Sequence, residues 1–162
     1  MSNKSKSSRG GHKTRVFATN RKAFFNYEVI DKVESGIVLT GAEVKSVRAG
    51  QVSLKESFIL IENGEVWLWN CHMSQWEFSS DRSYEPARKR KLLLKRREID
   101  RLLGKVKEKG LTLIPLRIYG KKRLIKVQIG LCRGRKKYDK RIIEKERVLK
   151  RDLYKRKREY MV

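Results

Sequence analysis

Leu111-Thr112-Leu113-Ile114-Pro115-Leu116-Arg117-Ile118-Tyr119, then Gly120-Lys121-Lys122, then Arg123-Leu124-Ile125-Lys126-Val127-Gln128-Ile129-Gly130-Leu131-Cys132 is the stretch on which the fold turns. In its second half Ile125, Val127, Ile129 and Leu131 alternate with Leu124, Lys126, Gln128 and Gly130. That period of two marks a strand with one dry face and one wetter face. The first half is equally apolar, and the short turn between them makes two adjacent antiparallel strands. Pro115 cannot donate to a ladder, so it predicts an edge or a bulge in the first strand.

Working outward, Ser57–Glu62 and Glu65–Cys71 flank Asn63-Gly64, a strong short hairpin signal. Within that hairpin Trp67 and Trp69 share one face, and Val66 and Leu68 the other. Asn26–Val33 and Gly36–Thr40 read as further strands. Thr40-Gly41-Ala42-Glu43 is a capping-box pattern opening a short helix with Val44 and Val47 on one side, stopped at Gly50. Ile99, Leu102, Leu103 and Val106 recur at helical spacing, so Arg96–Lys109 is a second, amphipathic helix ended by Gly110. Residues 75–90 are a long polar loop leading into Leu92-Leu93-Leu94. Six or so strands with two inserted helices make the chain mainly β, a small closed or nearly closed antiparallel barrel.

Charge is distributed unevenly over this frame. The 162 residues carry 42 Lys and Arg against 18 Asp and Glu, a net +24. Residues 1–22 hold +7, residues 23–87 hold −5, residues 88–132 hold +13 and residues 133–162 hold +9. Like charge in excess repels itself in a compact state and is neutralised by a polyanion, most commonly RNA or DNA. If about six phosphates are contacted, affinity falls roughly a thousandfold between 50 and 200 mM salt. Three parts are expected: a disordered basic arm over 1–15, the barrel over 16–132, and a basic tail over 133–162. The tail carries only Ile142, Leu149 and Leu153 as a thin apolar stripe, so it is expected to be disordered when free and helical when bound.

Several functions are excluded by what is missing. No apolar run approaches the ~20 residues that span a bilayer. The opening residues lack the apolar stretch of a signal peptide, which predicts a cytoplasmic protein. Cys71 and Cys132 lie too far apart for a metal motif and read as ordinary half-buried thiols, and neither His12 nor His72 sits in a ligand pattern. No catalytic site, no metal and no cofactor are expected, so the chain is not read as an enzyme. Glu28, Asp31, Glu34, Glu43, Glu62 and Glu65 alternate with apolar residues as the solvated face of a barrel would. Trp67 and Trp69 are expected to pack in the core or at a barrel end. Tyr119 is a candidate for base stacking, and Tyr138, with nothing apolar beside it, reads as a residue that stacks on RNA.

Specific strings then narrow the reading. Asn20-Arg21-Lys22-Ala23-Phe24, the stretch Glu34-Ser35-Gly36-Ile37-Val38-Leu39-Thr40-Gly41-Ala42-Glu43-Val44-Lys45-Ser46-Val47-Arg48-Ala49-Gly50, and Arg90-Lys91-Leu92-Leu93-Leu94 resemble the SmpB family of bacterial tmRNA-binding (SsrA-binding) proteins. So do Lys107–Leu116 and Gly134-Arg135-Lys136-Lys137-Tyr138-Asp139-Lys140-Arg141. The resemblance runs from about Val16 to the C-terminus. It implies an oligonucleotide-binding (OB-like) barrel that grips the tRNA-like domain of tmRNA (SsrA RNA), and a tail that enters the decoding centre and empty mRNA channel of a stalled ribosome, folding as a helix there. Translation then switches to the tmRNA frame and the nascent chain is tagged. The implied partners are tmRNA, the ribosome with its small-subunit rRNA and, indirectly through aminoacylated tmRNA, elongation factor Tu; a monomer that does not engage membranes is expected. The positions implied for tmRNA are Asn20, Lys22, Glu34, Lys45, Arg48, Lys91, Leu93 and Lys126, with Glu43 holding the cap. Those implied for the decoding centre are Gly134, Lys136, Lys137, Tyr138, Asp139, Lys140 and Arg141. Many members have His where this chain has Tyr138, which can stack but cannot become cationic near neutral pH. A ribosomal protein or rRNA-binding assembly factor is the alternative, and an RNA-modifying enzyme with a barrel domain a more distant one.

Overall fold

A computed structural model describes residues 14–159. Most of the expected arm, with His12, and the last three residues lie outside them. In chain order the elements are β1 (Arg15–Thr19), α1 (Arg21–Asn26), β2 (Tyr27–Ile37), α2 (Gly41–Arg48), β3 (Val52–Ser53), β4 (Phe58–Glu62), β5 (Glu65–Trp69), β6 (His72–Met73), β7 (Arg90–Leu93), α3 (Arg96–Lys109), β8 (Thr112–Lys121), β9 (Leu124–Gly134) and α4 (Lys137–Glu159).

The main sheet runs β1-β8-β4-β5-β7-β2-β9, and β9 pairs back onto β8. Six strands therefore close into a ring, with every pairing antiparallel and β1 laid along the far half of β8. The expected small barrel is present. The β8–β9 turn lies one residue later than the sequence suggests, because Lys121 pairs with Leu124 and Lys122 takes the left-handed conformation at φ 56°. Asn63 and Gly64 turn the β4–β5 hairpin with φ 51° and 73°, as a two-residue turn of this kind requires.

Two bulges decide what fills the barrel. In β8 the register shifts between Pro115 and Arg117, opposite Ile129 and Gln128. Leu113 and Ile118 both reach the inner core, whereas strict alternation would have sent Arg117 inward. In β2 the shift between Val29 and Asp31 likewise sends Val29 to the outside and Val33 to the inside. The interior is Val33, Val66, Leu68, Leu92, Val127, Ile129 and Leu131, with Val47 from α2 and Ile99 and Leu102 from α3. A second, smaller cluster of Ile114, Leu116 and Cys132 sits on the outer wall beneath Ala23 of α1.

Three expectations need correction. Residues 21–26, with only Phe24 and Phe25 to suggest burial, form the helix α1, and β2 begins at Tyr27 and runs unbroken through Gly36. The two tryptophans lie in neither the core nor a barrel end: Val66 and Leu68 are fully buried, so Trp67 and Trp69 face outward on the wall. Glu43 is no solvated carboxylate. It closes the expected capping box with Thr40 and is fully buried.

Candidate nucleic-acid interface

The β pairings carry distant residues onto one outer row. Leu93 of β7 pairs with Gly36 of β2, Gly36 with Lys126 of β9, Lys126 with Tyr119 of β8, and Tyr119 with Val16 of β1. Gly36 keeps this row open, because a Cβ there would stand 3.2 Å from Leu93 Cβ. Leu93 is left 51 % exposed. Glu34, two residues before Gly36 on the same face, accepts from Tyr119 Oη at 2.5 Å and from Lys121 Nζ at 3.0 Å. The Tyr119 hydrogen bond, then Lys121, with Lys126 nearby, holds the Glu34 carboxyl below its ordinary value. Burial and the Glu34 carboxylate push the Tyr119 phenol up. Glu34 thus reaches past the intervening β9 to brace a tyrosine and a lysine of β8 on a largely cationic surface.

Helix α2 stands at the same end of the barrel. Lys45 and Arg48 are both exposed on it, and Arg48 Nη2 donates to Arg123 O in the β8–β9 turn at 3.0 Å. The helix is held by a buried ion cluster. Glu43 accepts from Arg88 at 2.6 and 2.9 Å and from Arg90 Nε at 2.9 Å, while its Oε2 also accepts the Thr40 N–H at 2.9 Å. Burial pushes the Glu43 carboxyl up, but Arg88, the Thr40 N–H and Arg90 outweigh it and leave the group below its ordinary value. Arg90, itself fully buried, donates further to the carbonyls of Cys71, Pro86 and Arg88. No sequence signal announces this cluster, since its members lie 45 and 47 residues apart.

The remaining expected positions divide. Asn20 is buried and fully engaged: Oδ1 caps α1 at Ala23 N, Nδ2 donates to Pro115 O, and its own N–H donates to Leu116 O. Its polar atoms are spent within the fold at the Pro115–Leu116 level of β8, so the structure does not bring it into the row of Leu93, Lys126 and Tyr119. Lys22 pairs with Glu56 at 3.2 Å with both side chains mostly exposed. Lys91 faces outward two residues before Leu93 and is paired with Glu65 across β5. Lys89 covers the rings of Trp67 and Trp69 at 4.7 and 5.2 Å, and Phe58 stacks parallel to Trp69.

The tail segment lies away from this row. Gly134 is the last residue of β9, opposite Tyr27, and Arg135 N–H donates to Asn26 O. Asp139 Oδ2 accepts the Lys136 N–H at 3.3 Å at the start of α4. Lys136, Lys137 and Arg141 are exposed, Lys140 is half-buried, and Tyr138 is 71 % exposed. Arg147, 5.4 Å from the Phe25 ring, ties α4 to α1. Leu149 and Leu153 stay open to solvent.

Among the described residues no group of three His, Cys, Asp or Glu could hold a metal ion, and no helix is long and apolar enough to cross a membrane. Both thiols are fully buried and not half-buried as expected, and that burial pushes them up, Cys71 to about 12 and Cys132 to about 11.

Comparison with known proteins gives the family. The family model described as SmpB protein matches residues 17–159. An SsrA-binding protein of Sulfurihydrogenibium sp. (strain YO3AOP1) is 52 % identical over 141 residues, 87 % of this chain and 93 % of that one. Another, from Desulfitobacterium hafniense (strain DSM 10664 / DCB-2), is 52 % identical over 86 % of this chain and 89 % of its own. A chain of the solved structure described as "tmRNA-SmpB: a journey to the center of the bacterial ribosome" is 49 % identical and superposes with a TM-score of 0.62, covering 74 % of this chain and 84 % of that one. The chain belongs to the SmpB protein family.

Proposed function

We propose that the protein binds the tRNA-like domain of tmRNA through the Leu93–Lys126–Tyr119 row and helix α2, and delivers it to the A site of a stalled ribosome. The observation that carries this reading is the pairing register, which gathers Leu93, Lys126 and Glu34 from three strands beside the exposed Lys45 and Arg48. Gly36 keeps that surface open and Lys91 borders it as an ion-paired cation, while Asn20 and Lys22, at the far end of β1, meet the RNA beyond the row. The segment Gly134–Arg141 and α4 serve a second RNA, the small-subunit rRNA of the decoding centre, with Tyr138 stacking on a base and α4 following the empty mRNA channel. Free of the ribosome, the tail is held to the body by little more than α1, which leaves it available. The protein acts in the cytoplasm as a monomeric RNA-binding factor that catalyses no reaction, and meets elongation factor Tu only through aminoacylated tmRNA.

A chain ending at Gly134 tests the division of labour. Its affinity for tmRNA, measured against a tRNA competitor, should stay near that of the full chain. Tagging of nascent chains on stalled ribosomes should be abolished. Unimpaired tagging would remove the role of the tail, and equal affinity for any tRNA would remove the partner.

A further inference from the structure

Beside the row of Leu93, Lys126 and Tyr119 lies a cleft of about 750 Å³, between the start of β1, the C-terminal end of α2 and the β8–β9 turn. Its size falls in the ~300–1,000 Å³ range of pockets that hold small ligands. Arg15, Arg48, Lys121, Lys122 and Arg123 line it, and among the described residues no acidic side chain does so. Its floor is apolar. Phe17 and Ile125 pack one side against the barrel core, and Leu124 is 62 % exposed at the rim. The Phe17 ring comes close to Gly120, where a Cβ would stand 3.3 Å from it, so the glycine leaves room for the ring beside β8. The Arg15 guanidinium is 5.5 Å from the centroid of the same ring. Arg48 is fixed through Arg123 O, and Lys121 through Glu34.

A cationic wall over an aromatic and aliphatic floor matches one chemical unit: a nucleotide, with its phosphates on the wall and its base on the floor. A duplex backbone would use the wall and leave the floor empty. We propose that this cleft receives a single unstacked nucleotide of the RNA partner, its base held by Phe17, Leu124 and Ile125 and its phosphates by Arg15, Lys122 and Arg123. The inference rests on the proposed tmRNA-binding reading and adds to it a base-binding pocket.

The test measures affinity of the full-length protein for the tRNA-like domain of tmRNA across a series of salt concentrations. Leu124→Ala and Phe17→Leu should each weaken binding, by about tenfold where stacking is lost, with an unchanged slope of log affinity against log salt. Lys122→Ala should weaken binding and make the slope shallower by about 0.7–0.9. Circular dichroism and thermal unfolding of Phe17→Leu separate loss of the floor from loss of fold, and Leu124→Ala alters only an exposed side chain. If Lys122→Ala changes the slope while both apolar variants bind as the parent does, only phosphates enter and the proposal is overturned. If none of the three changes binding, the cleft lies outside the interface and the proposal is overturned as well. Failure of the unmodified protein to bind the RNA would instead overturn the reading beneath it.

Discussion

Two basic runs, Arg88–Lys91 and Arg135–Arg141, look alike on paper and behave oppositely in the fold. Each member of the first meets a carboxylate: Arg88 and Arg90 share Glu43, Lys89 meets Glu62 at 3.6 Å, and Lys91 meets Glu65. Arg90 is withdrawn from solvent altogether. In the second run the side chains are mostly exposed, and its one carboxylate, Asp139, turns back to a backbone N–H. Among the described residues none of its Lys or Arg pairs with an acid within 4 Å. The charge of the first run is therefore largely met within the protein, and that of the second is not. Charge counted along a sequence measures attraction to a polyanion only after the internal pairs have been subtracted.

The largest break in this contrast should come from Glu43→Ala. It removes the common counter-charge of Arg88 and Arg90 and leaves a buried guanidinium uncompensated, which costs roughly 3–5 kcal/mol. Urea denaturation should show the midpoint collapsing. A loss below 1 kcal/mol would mean that the cluster is not a lock on α2. Acid should act on the same link. The Glu43 carboxyl titrates lower in the folded chain than in the unfolded one, where its ordinary value is 4.5. Its contribution is therefore complete above about pH 4.5 and lost as pH falls through the folded-state value. Stability profiles of the parent chain should fall through that window.

Smaller effects should follow at the exposed members. Lys89→Ala removes a partly exposed ion pair and the cation above two indoles, together about 0.5–1 kcal/mol, with a shift in tryptophan emission as the second readout. An unchanged emission spectrum would show that Lys89 does not sit over the rings in solution. Smallest of all for folding is Lys137→Ala in the second run, where no resolvable change in the denaturation midpoint is expected while ribosome-dependent tagging falls. A clear loss of stability there would dissolve the distinction between the two runs.

Legibility in the sequence followed the range of the interactions. The Thr40–Glu43 cap, the Asn63-Gly64 turn, the alternation of β9 and the periodicity of α3 were all readable, because each is decided by residues a few positions apart. Helix α1 was not readable because six residues give too little periodicity, and its N-cap depends on Asn20 being held by Pro115 and Leu116 of the adjacent strand β8, far along the chain. Resemblance singled out Glu34, Leu93 and Lys126 of the proposed site, but not the pairing register that sets them side by side. Nor was the cleft, whose Arg15, Phe17, Arg48 and Leu124 carry no shared motif.

By itself, then, the sequence determined a β-rich body with two short-range helices, a tail with too little apolar surface to pack, and an excess of positive charge that calls for RNA. Only the tertiary structure decided which charges are available. Strand register placed Leu93, Gly36, Lys126 and Tyr119 in one row, and two bulges chose which residues of β2 and β8 face inward. The closing of the ring buried Arg90 with Glu43. The physical reason is the range of the forces. Caps, turns and alternation are set by steric and hydrogen-bonding preferences of neighbouring residues, whereas pairing register and the burial of a charge depend on contacts dozens of residues apart, which exist only once the barrel has closed.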